Sequence, residues 1–188
     1  MINTSIVSND ITARTMSDAA EQRAEHLAAL GCSNVIELCV GPSLKILEGF
    51  YTKHRITVTG NDIEKRWKAY YPQGKWLIGD ALKLSYADFD GVVFAPPLSR
   101  GCTGRREDAL MINQVFPKYT DFFARAKEQK IKVGVMVCPA RSLATSSDRA
   151  QLHHLLGQIA MSNYKSEVIP LQAKKRNITK YVDIYFYQ

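Results

Sequence analysis

The chain has 188 residues, 46% hydrophobic and 23% charged, with a formal net charge of +7. This length suits one domain with its own core, and the composition excludes a disordered or low-complexity chain. The basic excess favours anionic partners such as nucleic acid, nucleotides or anionic lipid without choosing among them. No apolar run approaches the roughly 20 residues of a membrane span, and "MINTSIVSND" lacks the basic-then-apolar pattern of a signal peptide. Cys32, Cys39, Cys102 and Cys138 form no C-x-x-C pair, so no metal or redox pattern is present. The expectation is a cytoplasmic protein with reduced thiols and no membrane partner.

Residues 17–30 predict a helix whose apolar positions Ala20, Ala24, Leu27 and Leu30 recur at three- and four-residue steps, with Ser17 as its cap and Gly31 as its end. "NVIEL" (34–38) predicts a short strand and 43–54 a helix with Leu44, Leu47 and Tyr51 on one face. A β-branched strand (55–62), a short helix (63–72) stopped by Pro72 and a strand (75–80) follow. "FDGVVFAPP" (89–97) is a strand running into two prolines, and 98–107 is a loop. Residues 108–129 read as a helix kinked or interrupted near Pro117, 131–139 as an apolar strand, and 146–163 as a helix capped by Ser146 or Ser147. The strands 164–172 and 180–188 are joined by "AKKRNIT", too short for a crossover, so this pair is antiparallel.

Alternating strands and helices followed by a hairpin give an α/β fold. The expectation is a three-layer αβα sandwich on a seven-stranded, mostly parallel sheet with an antiparallel last strand. The first five strands are expected to be buried on both faces. The chain reads as a single domain (1–188), an N-terminal helical segment (1–31) preceding the core (32–188).

Ligands of open parallel sheets bind beyond the carboxyl ends of the strands. Those ends carry Glu37, Asp62, Asp80 and Ala95-Pro96-Pro97. One strand-end acid is commonly a turn or helix cap; three in succession along one edge suggest a ligand. An ionised carboxylate accepts from both vicinal hydroxyls of a ribose, and an exocyclic amine needs an acceptor of the same kind. Gly41 lets the backbone approach a ligand closely.

With these residues the chain resembles the class I, Rossmann-like S-adenosylmethionine-dependent methyltransferases over nearly its whole length, including the terminal hairpin. The resemblance implies that Glu37 serves the cofactor's amino group and that Cys39, Val40, Gly41, Pro42 and Ser43 form the turn against its methionine part. Asp62 would grip the ribose, with Ile63 against the adenine, and Asp80-Ala81 would bind the adenine amine. Ala95, Pro96 and Pro97 would face methyl and substrate. The usual E/D-x-G-x-G turn departs here, with Cys39 in place of its first glycine. "ELCVGPSLK" is more similar to the turn of the RNA 5-methylcytosine methyltransferases, a branch that uses two cysteines. Cys138 at the end of the fifth strand and Cys102 in "LSRGCTGRRED" are the candidates for that role, with Arg100, Arg105, Arg106 and Arg141 to favour a thiolate. "APPL" keeps the two prolines of the [D/N]-P-P-[Y/F] signature of amino-group methyltransferases but lacks its acceptor and its aromatic.

The reading is therefore an S-adenosylmethionine-dependent methyltransferase whose acceptor is open, RNA or another anion being suggested by the charge. A non-catalytic cofactor-binding or nucleic-acid-interacting relative is the alternative. A nicotinamide-dependent oxidoreductase fails on the missing G-x-G-x-x-G and on the antiparallel tail. His153 and His154 are read as solvated helix residues, and "AKKRNITK" (173–180) as a basic loop near the same edge.

Overall fold

The computed structural model describes residues 11–96, 115–143, 145–173 and 178–188. Helix α1 spans Ile11–Ala29, β1 Asn34–Leu38, α2 Leu44–Lys53, β2 Thr57–Asp62, α3 Arg66–Tyr70, β3 Lys75–Ile78 and β4 Gly91–Phe94. Then come α4 (Val115–Glu128), β5 (Val133–Pro139), α5 (Ser146–Ala160), β6 (Lys165–Ala173) and β7 (Ile178–Tyr187). Single 3-10 turns follow β1 (Gly41–Ser43), β3 (Ala81–Lys83) and β5 (Ala140–Leu143).

The strands form one seven-stranded sheet in the order β3-β2-β1-β4-β5-β7-β6. The pairings among β1 to β5 are parallel. Strand β7 lies between β5 and β6 and is antiparallel to both, as the short "AKKRNIT" connection requires. The chain passes from β1 to β2 on one side and later reaches β4 on the other. That reversal opens a crevice at the carboxyl ends of β1 and β4.

Two apolar layers hold the sandwich. Ala20, Ala24 and Leu27 of α1 and Leu44, Leu47 and Tyr51 of α2 pack on Val35, Val58, Val93 and Val135. On the other face, Tyr119, Phe122 and Phe123 of α4 and Leu155 and Ile159 of α5 cover Ile36, Leu38, Val92, Phe94, Met136 and Cys138. Among the described residues no helix is long and apolar enough to cross a membrane.

Several local expectations differ from the fold. Helix α1 already runs at Ile11, so Ser17 lies inside it; an interior serine costs a helix only a few tenths of a kcal/mol. Gly31 ends it as expected, with φ +82°. Strand β3 is only half covered, with Leu77 38% exposed, because it is a sheet edge and not a central strand. The cap of α5 is Thr145, one residue before the expected serines. Its Oγ1 accepts from the Asp148 backbone N–H at 3.1 Å, and Asp148 Oδ2 accepts from the Thr145 backbone N–H at 3.2 Å. The acid at the third helical position selects Thr145 from three consecutive hydroxyl residues. The expectations for 97–114, including the loop at 98–107, lie outside the described residues.

Candidate functional site

The turn after β1 begins with two residues in left-handed conformation, Cys39 (φ +59°) and Gly41 (φ +55°). Cys39 takes the backbone state for which glycine is suited, at a cost of roughly 1–2 kcal/mol. The turn is fastened to the end of β2. Val40 N–H donates to the Asn61 carbonyl at 2.9 Å, and Gly41 N–H donates to Asp62 Oδ2 at 3.0 Å. Asp62 Oδ1 accepts from the Glu64 N–H at 2.9 Å. Each Asp62 oxygen thus takes one backbone donor and keeps a lone pair for another. Asn61, 1% exposed, ties β2 to β3 by donating to the Leu77 and Gly79 carbonyls, both at 3.0 Å.

Glu37, the penultimate residue of β1, is 2% exposed on the α1 and α2 side of the sheet. The Tyr51 hydroxyl donates to its Oε1, and Arg23 Nη1 stands 3.9 Å from the same oxygen. Burial pushes the Glu37 carboxyl up, against the Arg23 charge and the Tyr51 hydrogen bond, which pull it down. Arg23 also donates from Nε to Asp183 Oδ2 at 2.6 Å and from Nη2 to Asp183 Oδ1 at 2.9 Å. Burial works against its charge, but Asp183 and then Glu37 outweigh it and hold the guanidinium well above its usual value. One cation therefore lies between two buried acids, from β1 and β7.

Arg23 and Glu37 of this group line a cavity of about 200 Å³ at the carboxyl ends of β1 and β4. Ala19, Arg23, Glu37, Cys39, Val40, Ser43, Leu47, Ala95, Pro96, Val137 and Tyr181 line it. Of the residues expected at the site, Glu37, Cys39, Val40, Ser43, Ala95 and Pro96 are thus brought together. Gly41 and Pro42 belong to the adjoining 3-10 turn. Asp62 connects to that turn through Gly41, and Ile63 is 70% exposed beside it. Asp80 is exposed and caps the turn after β3, accepting from the Leu82 N–H at 3.1 Å; Ala81 is buried behind it, its carbonyl accepting from the Tyr86 hydroxyl at 2.6 Å. Pro97 lies outside the described residues.

The cysteines separate. Cys39 lines the cavity, with burial and then Asp62 pushing its thiol up to about 12, far from a thiolate at neutral pH. Cys138 has no exposed surface and sits in the core layer with Phe94 and Tyr119. Its neighbour Val137 lines the cavity, and consecutive strand residues face opposite sides. Cys138 is thus on the far face of β5. Cys102 and Arg100, Arg105 and Arg106 lie outside the described residues. His153 and His154 are exposed on α5.

Arg23, Asp183, Tyr51 and Tyr181 were not expected at the site. Two of them carry a signal in the sequence. Arg23 interrupts the apolar stripe of Ala20, Ala24 and Leu27, and Asp183 is the one acid in the otherwise apolar "YVDIYFY". A charge inside a buried pattern implies a partner.

Neither a protein-family model nor a curated protein sequence matches the chain. Solved structures do match. The human methyltransferase 10 domain-containing protein aligns with a TM-score of 0.65 at 10% identity, over 92% of this chain and 82% of that one. The fold is that of the class I methyltransferases. A candidate RNA methyltransferase from Pyrococcus horikoshii aligns at 0.56 and 17% identity, over 91% and 84% of the two chains. The Burkholderia thailandensis 1,6-didemethyltoxoflavin N1-methyltransferase, solved with S-adenosylhomocysteine, aligns at 0.54 and 13% identity, over 92% and 80%.

The residues present fit such a cofactor. Among the described residues no hydrogen bond reaches Glu37 Oε2 or Arg23 Nη1, both on residues of the cavity wall. Asp62 keeps acceptor capacity for two hydroxyls at the next strand end.

Proposed function

We propose that the chain is an S-adenosylmethionine-dependent methyltransferase acting on RNA or another anionic acceptor. The observation that carries this reading is the cavity between the ends of β1 and β4, with buried Glu37 in its wall and Asp62 fastened to its turn. Bound S-adenosylmethionine supplies an activated sulfonium methyl, so the protein needs to bind, orient and exclude water. Glu37 takes the ammonium, and the turn at Cys39, Val40, Gly41, Pro42 and Ser43 lies against the methionine part. Asp62 receives the ribose hydroxyls, Ile63 covers an adenine face, and Asp80-Ala81 borders the adenine amine. Ala95 and Pro96, continued by Pro97, face the methyl and the acceptor. The net charge of +7 supports an anionic acceptor. Among the described residues Cys32, Cys39 and Cys138 form no disulfide, which suits a reducing, cytoplasmic location.

Calorimetry on the whole chain tests the cofactor: S-adenosylmethionine binds and NAD does not, and absence of S-adenosylmethionine binding overturns the reading. Asp62→Ala weakens that binding by more than about 1 kcal/mol, the scale of a lost charge-assisted hydrogen bond. Because Asp62 also holds Gly41 N–H, the variant's unfolding curve is compared first.

A second reading, a cofactor-binding module without catalysis, draws on two observations. Ala95 at the cavity rim offers no acceptor to an incoming amine, and Cys138 faces away from the cavity. Transfer of label from methyl-tritiated cofactor into cell RNA, protein or small-molecule pools separates the two. Binding without transfer to any pool favours the module.

A further inference from the structure

The cavity uses none of the cations on the outer flank of α2 and α3. Both helices run back from the carboxyl edge of the sheet, since each joins two parallel neighbouring strands. The hydroxyl of Tyr71, directly after α3, donates to Glu48 of α2, so these two flanks face each other. One turn nearer the carboxyl edge stand Trp67 on α3 and Lys45 on α2. Tyr70 and Tyr71 anchor α3 in the apolar layer, while Lys45, Lys65, Arg66 and Lys68 are exposed.

Trp67 packs into neither apolar layer of the described residues. The Arg66 guanidinium lies over its ring instead, 4.4 Å from the centroid, and the Arg66 side chain is 61% exposed. The neighbouring acids are engaged: Glu64 pairs with Arg66 at 2.5 Å, and Glu48 holds Tyr71. Lys45, Lys65 and Lys68 form no ion pair with a described residue. Lys65 and Lys68 are three residues apart on one helix and therefore neighbours on its surface.

Three uncompensated ammonium groups thus surround an aromatic ring topped by a guanidinium plane. Ammonium groups of this kind take the phosphates of a polyanion, and such a platform takes a planar base. A duplex hides its base faces inside the stack, and an acidic peptide offers anions without a base. The complement of the whole flank is an unpaired nucleic acid strand.

We infer that single-stranded RNA docks on this flank, its phosphates on Lys45, Lys65 and Lys68 and a base stacked on the Arg66–Trp67 platform. The inference deepens the function proposed above and rests on it only in taking RNA as the acceptor. Helix α3 also contacts the turn at Gly41–Ser43, so the strand is held along the same edge as the cavity. Strands β3 and β4 are three spacings apart, about 14 Å. The flank is therefore a docking surface beside the cavity and no part of the acceptor pocket itself.

Fluorescence anisotropy on the full chain tests this, with a labelled single-stranded RNA of about ten nucleotides. The triple variant Lys45→Gln, Lys65→Gln, Lys68→Gln is expected to bind roughly tenfold to a hundredfold more weakly at about 0.1 M salt, and its salt slope to be shallower by about 2. A second triple variant, Lys127→Gln, Lys130→Gln, Lys132→Gln, removes the same charge from exposed positions at the amino end of β5. It is expected to bind as the wild type does. Equal loss in both variants overturns the inference, because net charge alone then holds the RNA. Trp67→Leu is expected to weaken binding roughly fivefold to a hundredfold and to abolish quenching of tryptophan fluorescence by RNA. Tighter binding of the duplex form, or displacement of the RNA by polyglutamate as readily as by unlabelled RNA, also overturns it. The lysine variants keep the wild-type affinity for S-adenosylmethionine. Cofactor binding without RNA binding overturns this inference alone, and RNA binding without cofactor binding overturns the cofactor reading alone.

Discussion

At the scale of single residues, space and charge decide separately. A Cβ on Gly60 would lie 2.7 Å from Leu44 Cδ2 and 3.0 Å from Val40 Cγ1. The glycine in β2 is thus required by the close approach of the cofactor-side turn. Gly60→Ala is expected to cost about 1–3 kcal/mol, as overpacking does, and to weaken cofactor binding by displacing Val40. Urea unfolding checks the first effect; an unchanged midpoint would mean that Leu44 rotates away freely. The Arg23–Asp183 pair is a matter of charge. Removing one partner strands the other in the core, and Asp183→Asn is expected to destabilise by about 3–5 kcal/mol. A double-mutant cycle with Arg23→Met tests the pairing. The double variant should lose less than the sum of the two singles, whereas additivity would deny the coupling.

At the scale of elements, the sheet is pinned at both ends of β1. The carboxyl end carries the turn and Glu37. The amino end is held by Asp90, at the start of β4. Asp90 accepts from the Ser33 hydroxyl at 2.7 Å and from the Ser33 and Asn34 N–H groups at 3.0 and 3.1 Å. The Ser33 hydroxyl most of all holds the Asp90 carboxyl below the usual aspartate range, against a smaller upward push from burial. The unfolded chain therefore takes up this proton at a higher pH than the folded one. The stabilisation is complete above the ordinary aspartate value and is lost as pH falls through Asp90's own, lowered value. The stability gap between wild type and Asp90→Ala should accordingly narrow as the pH drops through that window. Chemical unfolding at a series of pH values measures it, and a constant gap would contradict the assignment.

At the scale of the whole molecule, the site is assembled from α1, β1, the turn, α2, the segment after β4, β5 and β7. A ligand seated there binds the folded chain only. Saturating S-adenosylmethionine, at about a hundred times its Kd, should then add about 2.7 kcal/mol of stability. For a domain of this length that is a rise of roughly 5–11 °C in Tm. Thermal melts with S-adenosylmethionine and with NAD check it: the first is expected to shift the transition and the second to leave it in place.

The succession of strands along the chain, the antiparallel final pair and the acids at the strand ends were legible in the sequence because they rest on local rules. A buried parallel strand is a short apolar run, a seven-residue connection forbids a crossover, and an acid at a strand end stands out against that run. The edge position of β3 was not legible, since β-propensity does not tell an edge strand from a central one. Nor was the Thr145 cap taken from among three hydroxyl residues, although Asp148 marks it. The widest gap concerns the wall of the cavity. Glu37 was expected there, while Arg23 and Asp183 were only anomalies within apolar patterns, 160 residues apart. Sequence spacing fixes which face of a helix or strand a residue occupies. Which faces meet is set by packing the layers, and only that packing closed one guanidinium between two buried acids beside the cavity.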